Sequence, residues 1–84
     1  MTLKEEIIDA VIDGQIGRNG IVTRREVIQH FKDYPKSYTG VILSNSEIDR
    51  NHSPTYETFT QRVGRGKYII HPEIISQRKG ERGR

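Results

Sequence analysis

Near the end of the chain, Arg62, Arg65 and Lys67 crowd around the tripeptide Gly64-Arg65-Gly66. Guanidinium groups hold phosphate through paired N–H donors, lysine holds it as a point charge, and glycine lets a backbone come close to an anionic strand. Arg65 must project, because neither neighbour has a side chain. The two glycines also suit a short hairpin through positive φ alone, with edge charges keeping strands apart, so the three cations carry the binding signal and the glycines do not. Arg24 and Arg25 form a second basic pair directly after Thr23, with Arg18 nearby. A third set is mostly polar: Lys36, Ser37, Thr39, Ser44, Arg50 and Asn51, followed by His52. Such side chains donate to phosphate or bond base edges, asparagine pairing with adenine and arginine with guanine. The chemistry on offer is recognition of a polyanion.

The sequence offers little for catalysis or metal binding. His30, His52 and His71 are scattered, with no His-x-x-x-His pair and no carboxylate at ligand spacing. There is no Gly-x-x-x-x-Gly-Lys loop, and a chain of 84 residues has little room for a cleft that would align a nucleophile with a base. The expectation is therefore no enzyme, no cofactor and no metal. With no cysteine, the chain has neither a disulfide framework nor a thiolate zinc site to stiffen it. No apolar run approaches the roughly 20 residues of a membrane span, and no signal-peptide pattern is present. Cytoplasmic placement, in association with the nucleoid, is the expectation.

Charge is unevenly spread. The net charge is +3. Residues 1–17 hold one base against four acids, residues 18–84 hold thirteen against seven, and residues 62–84 hold seven against two. An acidic start and a basic end are cues for nucleic-acid contact.

These residues need elements to position them, and the apolar spacing supplies a set. Thr2 and Glu5 have capping-box spacing, and Leu3, Ile7, Ile8, Val11 and Ile12 follow at helical steps. Gly17-Arg18-Asn19-Gly20 is a turn, and Ile21-Val22 is short enough for a single strand bridge. Thr23 and Glu26 repeat the capping box, with Val27, Ile28 and Phe31 as the buried stripe of a second helix that ends by Asp33-Tyr34-Pro35. A third helix is expected from about Ser37 to Asp49, burying Tyr38, Val41, Ile42 and Ile48. Its outer face would carry Thr39, Leu43, Ser44, Glu47, Arg50 and Asn51. Gly40 weakens that helix by about 1 kcal/mol, which suggests close approach to something. After a polar loop, Thr58–Val63 and Lys67–Ile70 alternate as two strands of a hairpin around the glycine turn. Tyr38 and Tyr68 fall at core spacing, whereas Tyr34 and Tyr56 lie in loops and could contact a sugar or a base. Residues 77–84 look too polar to fold.

The order of helix, strand, helix, helix and hairpin, with the phrases LKEEIIDAVI, GIVTRREVIQHF and FTQRVGRGKYIIHPE, resembles the winged helix-turn-helix family. More narrowly, it is similar to the small winged-helix modules that accompany prokaryotic or archaeal restriction-type nucleases or stand alone. The resemblance spans residues 2 to about 71. It implies an α+β fold, a three-helix bundle with a C-terminal β-hairpin wing over residues 1–76, and a flexible basic tail at 77–84. It also implies double-stranded DNA, modified or not, as the partner in transcription regulation or in a restriction or defence system. The third helix would enter the major groove and the wing would lie on the backbone or minor groove. Arg24, Arg25, Lys36, Ser37, Thr39, Ser44, Arg50, Asn51, Arg62, Arg65 and Lys67 are the expected contacts. SYTGVILSNSEID departs from the family in being less basic, with Glu47 where phosphate is expected. The alternative is a protein-interaction or dimerisation module on the same fold, suggested by an exposed Leu43, an acidic first helix and the weak charge of the third helix.

Overall fold

A computed structural model describes residues 2–47 and 58–83. Ile48, Arg50, Asn51, His52, the Ser53-Pro54 loop and Tyr56 lie outside the described residues. The chain is a small α+β domain. Among the described residues it runs α1 (Leu3–Ile12), a 3₁₀ turn (Arg18–Gly20), β1 (Ile21–Thr23), α2 (Arg24–His30), α3 (Lys36–Thr39), α4 (Ile42–Asn45), β2 (Thr60–Gly64), β3 (Lys67–Ile70) and α5 (Pro72–Arg82). The strands form one antiparallel sheet in the order β1-β3-β2. No described helix is long and apolar enough to cross a membrane.

Both capping boxes form. Thr2 Oγ1 accepts from the Glu5 amide while the Glu5 carboxylate accepts from the Thr2 amide, and Thr23 and Glu26 repeat the exchange. Each box satisfies backbone donors that a helix start otherwise leaves bare. The core beneath these helices is Leu3, Ile7, Ile8, Ala10, Ile16, Val22, Val27, Ile42, Leu43, Phe59, Tyr68 and Ile70. Val22 sits opposite Tyr68 in the ladder, so the sheet enters the core where β1 meets β3. Ile21-Val22 thus begins a three-residue strand rather than a lone bridge, because β3 offers it a full register: Ile21, Val22 and Thr23 against Ile69, Tyr68 and Lys67.

The third helix departs most from expectation. It breaks into α3 and α4 at Gly40-Val41, where Val41 has φ −123° and its amide bonds only three residues back, to the Tyr38 carbonyl. The inward stripe is Thr39, Ile42, Leu43 and Ser46, not Tyr38, Val41 and Ile42. Both sets have helical spacing and share Ile42, so choosing one rotates the face by a single residue, about 100°. Thr39 and Leu43 are buried, contrary to the outer positions expected of them, while Tyr38 and Val41 are half-buried. Thr39 is tolerated inside because its hydroxyl donates to the Pro35 carbonyl at 3.3 Å. Glu47 is also buried and pairs with Thr60 in a parallel bridge. The Phe59 and Thr60 amides both donate to the Ser46 carbonyl, fixing where β2 begins.

The basic tail folds. His71 caps α5 by accepting the Glu73 amide on Nδ1, Pro72 sits in the first turn, and Lys79 and Arg82 sit in the last, where the helix dipole favours cations. Ile74 and Ile75 pack on the core, and the rest of the attachment is ionic. Arg78 forks onto Asp9, Nε to Oδ1 at 2.8 Å and Nη2 to Oδ2 at 2.9 Å, and its Nη1 reaches Glu5 at 3.2 Å. Arg82 donates to Asp13 at 2.7 Å. Glu5, Asp9 and Asp13 are four residues apart, as are Arg78 and Arg82, so one stripe on each helix faces the other.

Two carboxyls therefore titrate below the ordinary carboxylate range. Glu5 is held down by the N–H and hydroxyl of Thr2 and then by Arg78, and Asp9 by the hydrogen bonds and charge of Arg78. A lowered folded pKa adds stability that is complete above the unfolded value, near 4, and is lost as pH falls through the folded value. Denaturation by urea should show stability falling progressively below about pH 5. Asp9→Asn should lower stability at pH 7 by about 1 kcal/mol and shrink that acid loss. An acid limb identical in the variant would contradict the assignment.

Candidate nucleic-acid interface

The Thr23 cap fixes the direction in which α2 leaves the sheet and places Arg24 and Arg25, both exposed, on its first turn. Glu26, the single acid of α2, is folded back: its carboxylate accepts the Thr23 amide at 3.0 Å and the Gly17 amide at 3.3 Å. Among the described residues no carboxylate lies at ion-pair distance from Arg24, Arg25, Lys32 or Lys36. These four line one groove with Ile28, Gln29 and Tyr34, and no acid contributes to it.

Arg24 has a second job. Its amide donates to the Gly66 carbonyl in the hairpin turn at 3.2 Å, and its Nε donates to the Gly40 carbonyl at 2.8 Å. The residue joins the hairpin turn, the start of α2 and the break after α3. Gly40 is required for this: a Cβ there would stand 2.6 Å from the Lys36 carbonyl oxygen and 3.0 Å from Arg24 Nη2. The close approach expected at Gly40 is thus to the Lys36 carbonyl first and then to an arginine of the same chain.

The hairpin presents its cations as expected. Arg62, Arg65 and Lys67 are all exposed, and Lys67 sits across the ladder from Thr23, one residue from Arg24. Arg62 Nε donates to the Gly64 carbonyl at 3.3 Å, which turns its guanidinium toward the tip. Only Gly66 of the two wing glycines has positive φ, at 69°; Gly64 instead follows a bulge at Val63 that shifts the register between Arg62 and Gly64.

Of the expected contact residues, Arg24, Arg25 and Lys36 come together in the groove, and the Arg24 amide ties that groove to the wing turn that carries Arg65. Ser37 is exposed beside Lys36 at the start of α3. Ser44 is exposed on α4, with its hydroxyl donating to the Val41 carbonyl at 3.1 Å. Thr39 is 1% exposed and faces the core, so it offers nothing to a partner. Arg50 and Asn51 lie outside the described residues. Lys32 and Gln29 were missed, although Arg25, Gln29 and Lys32 stand at helical steps of four and three. Tyr34, expected in a loop where it could contact a sugar or a base, donates its hydroxyl to Glu6, which raises its pKa.

At the other end of the chain part of the positive charge is spent. Arg78 and Arg82, counted with the basic end, neutralise Glu5, Asp9 and Asp13. Among the described residues, no cluster of His, Asp and Glu could hold a metal ion. Compared with protein-family models, curated proteins and solved structures, the chain gives no match.

Gly40→Ala should destabilise the domain by about 1–3 kcal/mol, despite the roughly 1 kcal/mol that alanine ordinarily gains over glycine in helical backbone. Combined with Arg24→Ala, the loss should be less than the sum of the two, since truncating Arg24 removes the guanidinium that the new Cβ would crowd while the approach to the Lys36 carbonyl stays. Additive melting shifts in that double-mutant cycle would refute the coupling.

Proposed function

We propose that the chain is a double-stranded DNA-binding module of the winged helix-turn-helix type. One observation carries the reading: the cations of α2, α3 and the hairpin lack described carboxylate partners, while acids of α1 are taken up by α5. A field that looks like +3 in the total is more positive on this side. The order of helices with a β1-β3-β2 sheet, and a hairpin that ends in exposed arginine and lysine, supports the fold assignment.

The contact is weighted toward the phosphate backbone. With Thr39 and Leu43 in the core, the exposed described positions of the third helix are few: Lys36 and Ser37 at its start and Ser44 after the break. Arg25, Lys32 and Lys36 would hold one strand, and Arg62, Arg65 and Lys67 would reach the backbone or minor groove beside it. Of the features that favoured a dimerisation module, Leu43 is buried and the acidic stripe of α1 is covered by Arg78 and Arg82, while the weak charge of the third helix remains.

Fluorescence anisotropy with a short labelled duplex at graded salt tests this reading. Affinity should fall steeply with salt, and Arg25→Ala, Lys36→Ala and Lys67→Ala should each reduce the logarithmic salt slope by about 0.9. No binding at low salt, or a slope unmoved by all three changes, would sink it.

A further inference from the structure

The groove beside α2 has a property that phosphate contact leaves unused. Between Arg24, Arg25, Lys32 and Lys36 its lining includes Ile28, Gln29 and Tyr34. Tyr34 is held in place: its hydroxyl is bound to Glu6, and its ring meets Phe31 and Tyr38 edge-on, with centroids 6.4 Å and 5.9 Å away. A fixed aromatic wall and an isoleucine gain nothing from a phosphate, which only the cations can hold. They suit a flat, largely apolar group carried next to an anion.

We propose that this groove is a binding site for a nucleoside phosphate. The phosphates lie on Arg25, Lys32 and Lys36, and the base lies against Ile28 and Tyr34. Gln29 offers both a donor and an acceptor to the base edge. Arg24 contributes charge, while its Nε stays on the Gly40 carbonyl. The same chemistry is met in a free nucleotide and in a base swung out of a strand. The site stands on its own lining and does not require the duplex reading.

The full chain, uniformly ¹⁵N-labelled, is titrated with ATP and, in parallel, with inorganic triphosphate, which has comparable charge and no base. ATP should shift the amides of Ile28, Gln29, Lys32 and Tyr34 and bind about tenfold more tightly than triphosphate. Ile28→Ala should erase most of that preference. Gln29→Ala, at an exposed position, should weaken ATP severalfold and leave triphosphate unchanged. Two duplexes then separate the sources. A preference of about fivefold or more for one with a single unpaired adenine over a fully paired one assigns the base to a strand. Equal affinity for the two duplexes, with ATP still preferred over triphosphate, assigns a free nucleotide. Triphosphate binding as tightly as ATP, no shifts in the groove, or tighter binding of an acidic tyrosine-containing peptide would overturn the proposal. Failure of the duplex reading is distinct, being loss of binding to paired DNA.

Discussion

The fork of Arg78 onto Asp9 is the contact on which the charge distribution of this domain depends. Alone, α1 would present Glu5, Asp9 and Asp13 along one side, and a strongly polar C-terminal segment would have little reason to order. Laid together, each supplies what the other lacks. The acids gain donors in fixed geometry, and the arginines gain partners that hold a helix with few apolar residues against the core. Isolated surface ion pairs contribute little, but this set shares partners, and Arg78 is largely buried among them with a side chain 15% exposed. The result is a molecule whose negative charge is internally answered on one side and whose positive charge is left open on the other.

On the open side, organisation passes through Arg24. Its backbone holds the hairpin turn and its side chain holds the carbonyl at the break in the third helix. A cation that might have been read only as a surface charge is the joint between three elements. The start of α2, the end of α3 and the hairpin turn are tied together by these two Arg24 hydrogen bonds.

Much of the fold was legible where a local rule sufficed. Thr2 with Glu5 and Thr23 with Glu26 specify two helix starts by spacing alone, and the alternation around Gly64-Arg65-Gly66 specifies a hairpin. Two features were not legible, for different reasons. The third helix carries two overlapping apolar stripes, and nothing local decides between Tyr38-Val41-Ile42 and Thr39-Ile42-Leu43. The choice is made by Thr60, whose hydroxyl donates to the Leu43 carbonyl at 2.7 Å from seventeen residues away. The last helix is decided from farther still, sixty-nine residues separating Arg78 from Asp9. Of the expected contact residues, the described basic positions are exposed and Thr39 is buried, because charge resists burial where a threonine hydroxyl needs only one acceptor.

The stripe of acids on α1 and the arginines on α5 bear on how this chain can change over time. Removing Arg78 alone would leave Asp9 only the more distant Arg82 and Glu5 its Thr2 cap, and removing Asp9 alone would leave Arg78 with Glu5 and Glu81. Either step loses the forked pair, whereas a paired exchange, charge for charge or both for apolar side chains, avoids leaving one partner unanswered. Positions at opposite ends of the chain are thus bound to a shared history. A variant chain that kept the arginine stripe while its acids drifted would regain an open basic helix and, with it, a second surface for anions.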